Sequence, residues 1–150
     1  MLSKKMQGAV LLSGSVIAAM AWSHGEQGHD PIGEPAIKTT RTVAIRMSDT
    51  MQYIPNMIQI KRGEAITLAF KNEGKLKHEA ILGALPELQK HAEMMKMHPD
   101  MTHDDPKSIS AQAGETALIK WKFTQAGTFY IGCLMPGHFD AGMRATLIVK

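Results

Sequence analysis

From position 41 onward, apolar residues recur at every second position in short runs separated by turn residues. Val43, Ile45 and Met47 share a face in 42–47, and Ile58 and Ile60 share one in 57–61. Ile66, Leu68 and Phe70 line one face of 65–70. Ala117, Ile119, Trp121 and Phe123 line one face of 117–123. Phe129, Ile131 and Cys133 alternate in 128–133, while 145–149 closes the chain and 76–82 is a further short run. Period-two alternation sends one side of each segment to a core and the other to water, as half-buried strands do. Arg62-Gly63-Glu64, Asn72-Glu73-Gly74 and Ala126-Gly127 supply turns between them. About seven short strands spaced by turns predict an all-β sandwich with antiparallel pairing.

One stretch departs from this period. Segment 86–97 (PELQKHAEMMKM) opens on proline, carries Glu87 in its first turn and is built of good helix formers, and Pro99 stops it. It predicts a short helix inside a long connection, about 83–114, and connections of that length are usually functional or mobile. Upstream, 24–40 holds three glycines and two prolines without apolar periodicity and reads as a flexible tail. Residues 1–23 read as a signal peptide, with an uncleaved anchor as the alternative. Lys4 and Lys5 precede an apolar run over 9–20, too short to span a membrane, and small residues offer cleavage after Ala21 or Ser23. The domain at 41–150 is therefore expected outside the cytoplasm, most simply in a bacterial periplasm, with no membrane attachment after cleavage.

A chain of 150 residues suits one such domain. Its 44% hydrophobic and 21% charged residues exclude wholesale disorder. The formal net charge of +3 includes Lys4 and Lys5 of the leader, so the remaining excess is no footprint for nucleic acid. The single cysteine excludes an intramolecular disulfide and a Cys-rich zinc site. An unpaired thiol is nevertheless odd in an exported protein, whose compartment favours disulfides. Methionine, at 12 residues, is the other excess.

Cys133, His138 and Met143 stand at C-x4-H-x4-M between the last two strand patterns, where a folded-back loop brings them to one point. Thiolate and thioether are soft ligands and imidazole is intermediate, a set that suits copper. Two histidines, one cysteine and a weak axial methionine make an electron-transfer copper site, which needs one more histidine. His78, in Lys77-His78-Glu79-Ala80, is the candidate. Singly, each residue has a plainer reading: a buried cysteine is a small hydrophobe, a histidine after Pro-Gly a turn residue, a methionine core. A Cys133–His138 nucleophilic pair is another reading, unsupported by anything else in the chain. Copper accounts for all of them jointly, because a bound thiolate is protected from disulfide exchange.

This segment resembles the copper loop of the cupredoxins, the type 1 (blue) copper proteins of the plastocyanin and azurin kind. Its C-x4-H spacing resembles azurin's. Its H-x4-M, with Ala141-Gly142 before Met143, resembles plastocyanin's. Gly127-Thr128-Phe129-Tyr130 leading to Cys133 is similar to the strand that carries the family's cysteine. The resemblance covers about 41–150 and implies a Greek-key β-sandwich holding one redox-active copper. It also implies His78, Cys133 and His138 as equatorial ligands and Met143 as the axial one. Glu79 is a departure. Plastocyanin and azurin have Asn directly after the upstream histidine, where it helps tie the ligand loops together. A carboxylate there changes the hydrogen bonding that tunes the metal, which points to a perturbed, greener site. A binuclear copper domain needs two cysteines, and a multicopper oxidase passes electrons through His-Cys-His. Cys133 is alone and flanked by Gly132 and Leu134, so no enzyme activity is expected.

His91, Met94, Met95, Met97, His98, Met101 and His103 crowd into 13 residues, and His91, Met94, Met95 and His98 have the spacing of one helix face. Thioethers with imidazoles suit Cu(I), which points to a second, weaker copper site; a packing or docking stripe is the alternative. His24 and His29 offer a third, Cu(II)-type site. Cleavage after Ser23 would set a free amine beside the His24 imidazole, and cleavage after Ala21 would place His24 third. Some exported cupredoxins resembling this one, with an inserted His/Met segment, serve bacterial copper tolerance. The expected function is thus the handling of periplasmic copper with Cu(II)/Cu(I) cycling. The alternative is a soluble carrier between redox partners such as a cytochrome or a copper oxidase or reductase. His138 would then be the electron port beside Met135, Pro136 and Phe139. A copper-free β-sandwich binding module is a third class. Copper ions and a redox protein are the expected partners, and a monomer the expected state.

Overall fold

In a computed structural model, which describes residues 32–99 and 104–150, the alternating segments close into two five-stranded sheets. In chain order the strands are β1 (Glu34–Pro35), β2 (Arg41–Ser48), β3 (Gln52–Ile54), β4 (Met57–Ile60) and β5 (Ala65–Asn72). Then come β6 (His78–Gly83), helix α1 (Leu85–Met97), β7 (Ser108–Ala111), β8 (Thr116–Lys122), β9 (Gly127–Gly132) and β10 (Arg144–Val149). One sheet runs β1-β8-β5-β2-β3 and the other β4-β10-β9-β6-β7. The all-β sandwich is as expected. Between the sheets lie the alternating residues, including Ile45 and Met47 of β2, Leu68 and Phe70 of β5, Ile119 and Trp121 of β8, Ile131 of β9 and Leu147 of β10. Each such aliphatic side chain contributes roughly 1.5–3 kcal/mol by leaving water.

The pairing is mixed, not purely antiparallel as expected. β2 runs parallel to β5, with Val43 opposite Leu68, and β4 runs parallel to β10, with Ile58 opposite Leu147. Both follow from the chain changing sheets: between β2 and β5 it passes through β3 and then crosses to β4 in the other sheet, so it re-enters beside β2 in the same direction. The expected tail at 24–40 is also corrected over its described part. Ile32 is buried, and Glu34–Pro35 pairs antiparallel with Lys122 and Trp121 of β8. Pro35 fits there because an edge strand can spare its amide. Gly33 allows the entry: its φ is +136°, and a Cβ would stand 2.0 Å from the Lys122 carbonyl oxygen. The signal peptide at 1–23, and His24 and His29, lie outside the described residues.

The 83–114 connection is shorter than it reads, because β7 lies within it and pairs with β6, Ala111 opposite His78. β3 and β7, of three and four residues, are too short to show periodicity. β6 is buried along its whole length. Ala80 and Leu82 join the sandwich core, while Ile81 joins a second cluster beneath α1. That double cover explains why its sequence does not alternate. α1 begins one residue before Pro86, the Glu87 carboxylate accepts the Ala84 N–H at 3.3 Å, and the His98 N–H bonds Met94 O at 2.9 Å. Among the described residues no helix is long and apolar enough to cross a membrane.

Candidate metal centre

His78 opens β6, Cys133 follows β9, and Met143 precedes β10. The β9–β10 pairing, Gly132 opposite Arg144, closes the loop that carries His138. Inside the loop, backbone bonds run from His138 N–H to Met135 O, from Gly142 N–H to Phe139 O and from Met143 N–H to His138 O, each at 3.0 Å. Cys133 N–H reaches Met143 O at 3.2 Å, so the outer two residues of C-x4-H-x4-M are tied directly. Gly137 and Gly142, at φ +84° and +94°, take the left-handed turns that this short path requires.

The result gathers one ligand atom each from His78, Cys133 and His138 within 4.8 Å of one another. Cys133 Sγ lies 3.3 Å from His138 Nδ1, and the two imidazole rings sit 5.1 Å apart, centre to centre. His78, Cys133 and Met143 are fully buried and His138 is half-buried. His78 Nδ1 is buried with no hydrogen-bond partner, an arrangement that a bound cation would relieve. A thiol and two imidazole nitrogens in contact, one of them otherwise unsatisfied, fit a soft-to-intermediate metal ion. Among the described residues no other three His, Cys, Asp or Glu side chains gather this way.

Burial sets the electrostatics. It pushes the Cys133 thiol up to about 11, against the lowering effect of N–H donors from Glu79 and Met135. It also pushes the His138 imidazole down, helped by the neighbouring His78 and opposed by Asp49. Glu79 keeps a backbone role whatever its side chain: its N–H donates to Cys133 Sγ at 3.3 Å, and its carbonyl accepts the buried Tyr53 hydroxyl. Its own carboxylate is buried, with one oxygen 3.7 Å from Lys77 Nζ.

One participant had no sequence signal. Asp49, in the turn after β2, places Oδ1 3.0 Å from His78 Nε2. Twenty-nine positions separate the two, and only the folded turn brings them together.

His91, Met94, Met95 and His98 follow one side of the helix by spacing, but that side straddles the edge of the core, so the four do not share one environment. Leu88, Ala92 and Met95 form its buried stripe against Ile81, Leu134 and Phe139. Met94, Met97 and His98 are exposed and His91 is half-buried. Met95 therefore packs in the core, as the i, i+4, i+7 spacing of Leu88, Ala92 and Met95 dictates. Met101 and His103 lie outside the described residues.

The sequence model of the copper binding proteins, plastocyanin/azurin family, matches residues 40–150. The chain is 42% identical over 135 residues to the copper-resistant cuproprotein CopI of Rubrivivax gelatinosus, covering 89% of this chain and 82% of that one. It is 31% identical over 172 residues to the protein of the same name from Pseudomonas aeruginosa, covering 94% and 91%. In fold it is similar to auracyanin B, with a TM-score of 0.65 at 21% identity over 81% of this chain and 99% of that one. An azurin from Methylomonas sp. strain J gives 0.61 at 21% identity, over 75% and 99%. The loop that sequence spacing singled out lies inside the matched span, on the matching fold, and the chain belongs to the plastocyanin/azurin family of copper binding proteins.

Proposed function

We propose that this protein is exported to the periplasm and handles copper there as part of copper tolerance. It would bind one type 1 copper through His78, Cys133 and His138, with Met143 as the axial ligand. The observation that carries this is the convergence of three ligand atoms within 4.8 Å around a buried, unsatisfied His78 Nδ1. The relatives at 42% and 31% identity, both copper-resistant cuproproteins by name, support the tolerance role. Copper held there would supply a one-electron Cu(II)/Cu(I) couple. The chain's residues would hold its ligands in nearly one arrangement, exclude water around Cys133 and leave the half-buried His138 as the route for an electron to or from a redox protein. No bond is made or broken in a substrate, so the protein is not an enzyme on this reading.

The test is an optical and EPR titration of the mature protein with Cu(II). An intense sulfur-to-copper band with a narrow copper hyperfine splitting is expected, and it disappears in Cys133→Ser. A wild-type protein with reduced Cys133 and no such band would refute the assignment. Mass spectrometry of protein from the periplasmic fraction checks export and finds the cleavage position. A gene deletion that leaves growth on copper unchanged would refute the tolerance role and leave electron transfer, which the half-exposed His138 also supports.

A further inference from the structure

We propose that Asp49 is the positioning residue of the metal centre: its carboxylate fixes the tautomer of His78 and biases the site toward the more highly charged Cu(II). This rests on the copper assignment above. His78 is fully buried, and its two ring nitrogens meet opposite environments. Nε2 lies 3.0 Å from Asp49 Oδ1, while Nδ1, on the other edge of the ring, has no hydrogen-bond partner. An ionised carboxylate only accepts, so Nε2 carries the hydrogen and Nδ1 keeps its lone pair for the metal.

The carboxylate is itself locked. Oδ2 accepts the Lys75 N–H at 2.7 Å and Oδ1 the Leu76 N–H at 3.2 Å. Buried Asn72 braces the same loop: it accepts the Gly74 N–H at 2.9 Å and donates to Leu76 O at 2.8 Å and Ala111 O at 2.9 Å. Gly74 is bare where the carboxylate sits, and a Cβ there would stand 2.0 Å from Asp49 Oδ1. A full negative charge is thus held in place one imidazole away from the ligand cluster: the carboxylate itself is 36% exposed, but the His78 ring between it and the cluster is fully buried. Such a charge stabilises a divalent ion more than a monovalent one.

The experiment compares the reduction potential and the Cu(II) and Cu(I) affinities of wild type, Asp49→Asn and Gly74→Ala. Asn keeps the size and one acceptor but loses the charge; Ala at 74 keeps the charge but displaces it. Both should weaken Cu(II) more than Cu(I), by at least about twofold and up to about tenfold in the ratio, since the exposed carboxylate is partly screened. For a one-electron couple that raises the potential by about 59 mV per tenfold. A carboxylate that only clamps the loop would instead lower apo-protein stability and shift both copper affinities equally. Potentials of both variants within about 18 mV of wild type, a twofold change, would therefore overturn the proposal. The copper-free wild type gives a second readout that needs no variant: ring ¹⁵N shifts should show His78 as the Nε2–H tautomer, and a dominant Nδ1–H form overturns the proposal. Loss of the proposed copper site itself is read separately, as absence of the sulfur-to-copper band in wild type.

Discussion

The backbone N–H of Glu79 donates to Cys133 Sγ at 3.3 Å across 54 positions of the chain. The bond ties the strand that begins at His78 to the ligand loop. It is independent of the side chain at 79, and this separates what the Glu79 departure changes from what it leaves alone. Glu79→Asn keeps the N–H and removes a buried carboxylate whose charge opposes thiolate formation at Cys133. The variant should hold copper within about tenfold of wild type. Its visible bands should move and its potential should rise. Optical spectra and redox titration check this, and identical spectra would mean that the carboxylate does not tune the site.

Met143→Leu tests the axial position. Met143 is fully buried, and a Leu of similar volume should cost less than about 1.5 kcal/mol of stability. Copper should remain bound through the other three residues, because the axial bond is weak. The spectrum and the potential should change while the Cys133-dependent band persists. Complete loss of copper in a folded variant would assign Met143 an equal share in holding the metal.

What could be read from the chain beforehand divides along physical lines. Alternation in β2, β5, β8, β9 and β10 exposed the sandwich, because one face of each strand meets the core and the other meets water. β6 hid its period because α1 covers its second face through Ile81. β1 hid inside a Gly- and Pro-rich stretch, where only its pairing with β8 defines it. Cys133, His138 and Met143 were legible because a segment of eleven residues, 133–143, carries all three. His78 was legible by ligand count. Asp49 was not: an aspartate in a turn is unremarkable until the fold sets it 3.0 Å from His78. The helix misled in the opposite way. Its Met/His spacing sets four side chains along one side, but Leu88, Ala92 and Met95 decide which positions turn inward, and Met95 is one of them.

The copper-free protein should be most stable near neutral pH. The Cys133 thiol is raised by burial from 9.0 to about 11. Between those values the unfolded chain has released its proton and the folded chain has not, so stability falls as pH rises, by roughly 2–3 kcal/mol across the interval. The His138 imidazole is lowered from 6.5, first by burial and then by His78. The unfolded chain therefore protonates first on acidification, and the stability present above that value is lost as pH falls. Urea midpoints at pH 5, 7.5 and 10.5 should peak at the middle value. Cys133→Ser should reduce the alkaline limb and leave the acid one; part of the alkaline limb remains, because burial also raises the Tyr53 hydroxyl. Copper uptake expels the thiol proton, so Cu(II) affinity should rise with pH below about 11.

The two neighbouring methionines of α1 should behave oppositely. Met95 is 1% exposed and packs with Leu134 and Phe139, which flank the ligand loop from within, whereas Met94 is 37% exposed. Met95→Ala removes a buried side chain from a cluster that the rest of the helix cannot collapse to fill. It should cost about 2–5 kcal/mol. Because Leu134 adjoins Cys133 and Phe139 adjoins His138, the loss should also loosen the ligand loop. Met94 lies outside that buried cluster, and Met94→Ala should cost well under Met95→Ala, about 1 kcal/mol or less. If the exposed methionines take part in a weaker Cu(I) site, Met94→Ala together with Met97→Ala should lower Cu(I) stoichiometry and leave the Cys133-dependent band unchanged. Urea denaturation of each variant, paired with Cu(I) titration against a competing chelator, separates the packing role from the metal role. Equal destabilisation by Met94→Ala and Met95→Ala would contradict the helix orientation itself.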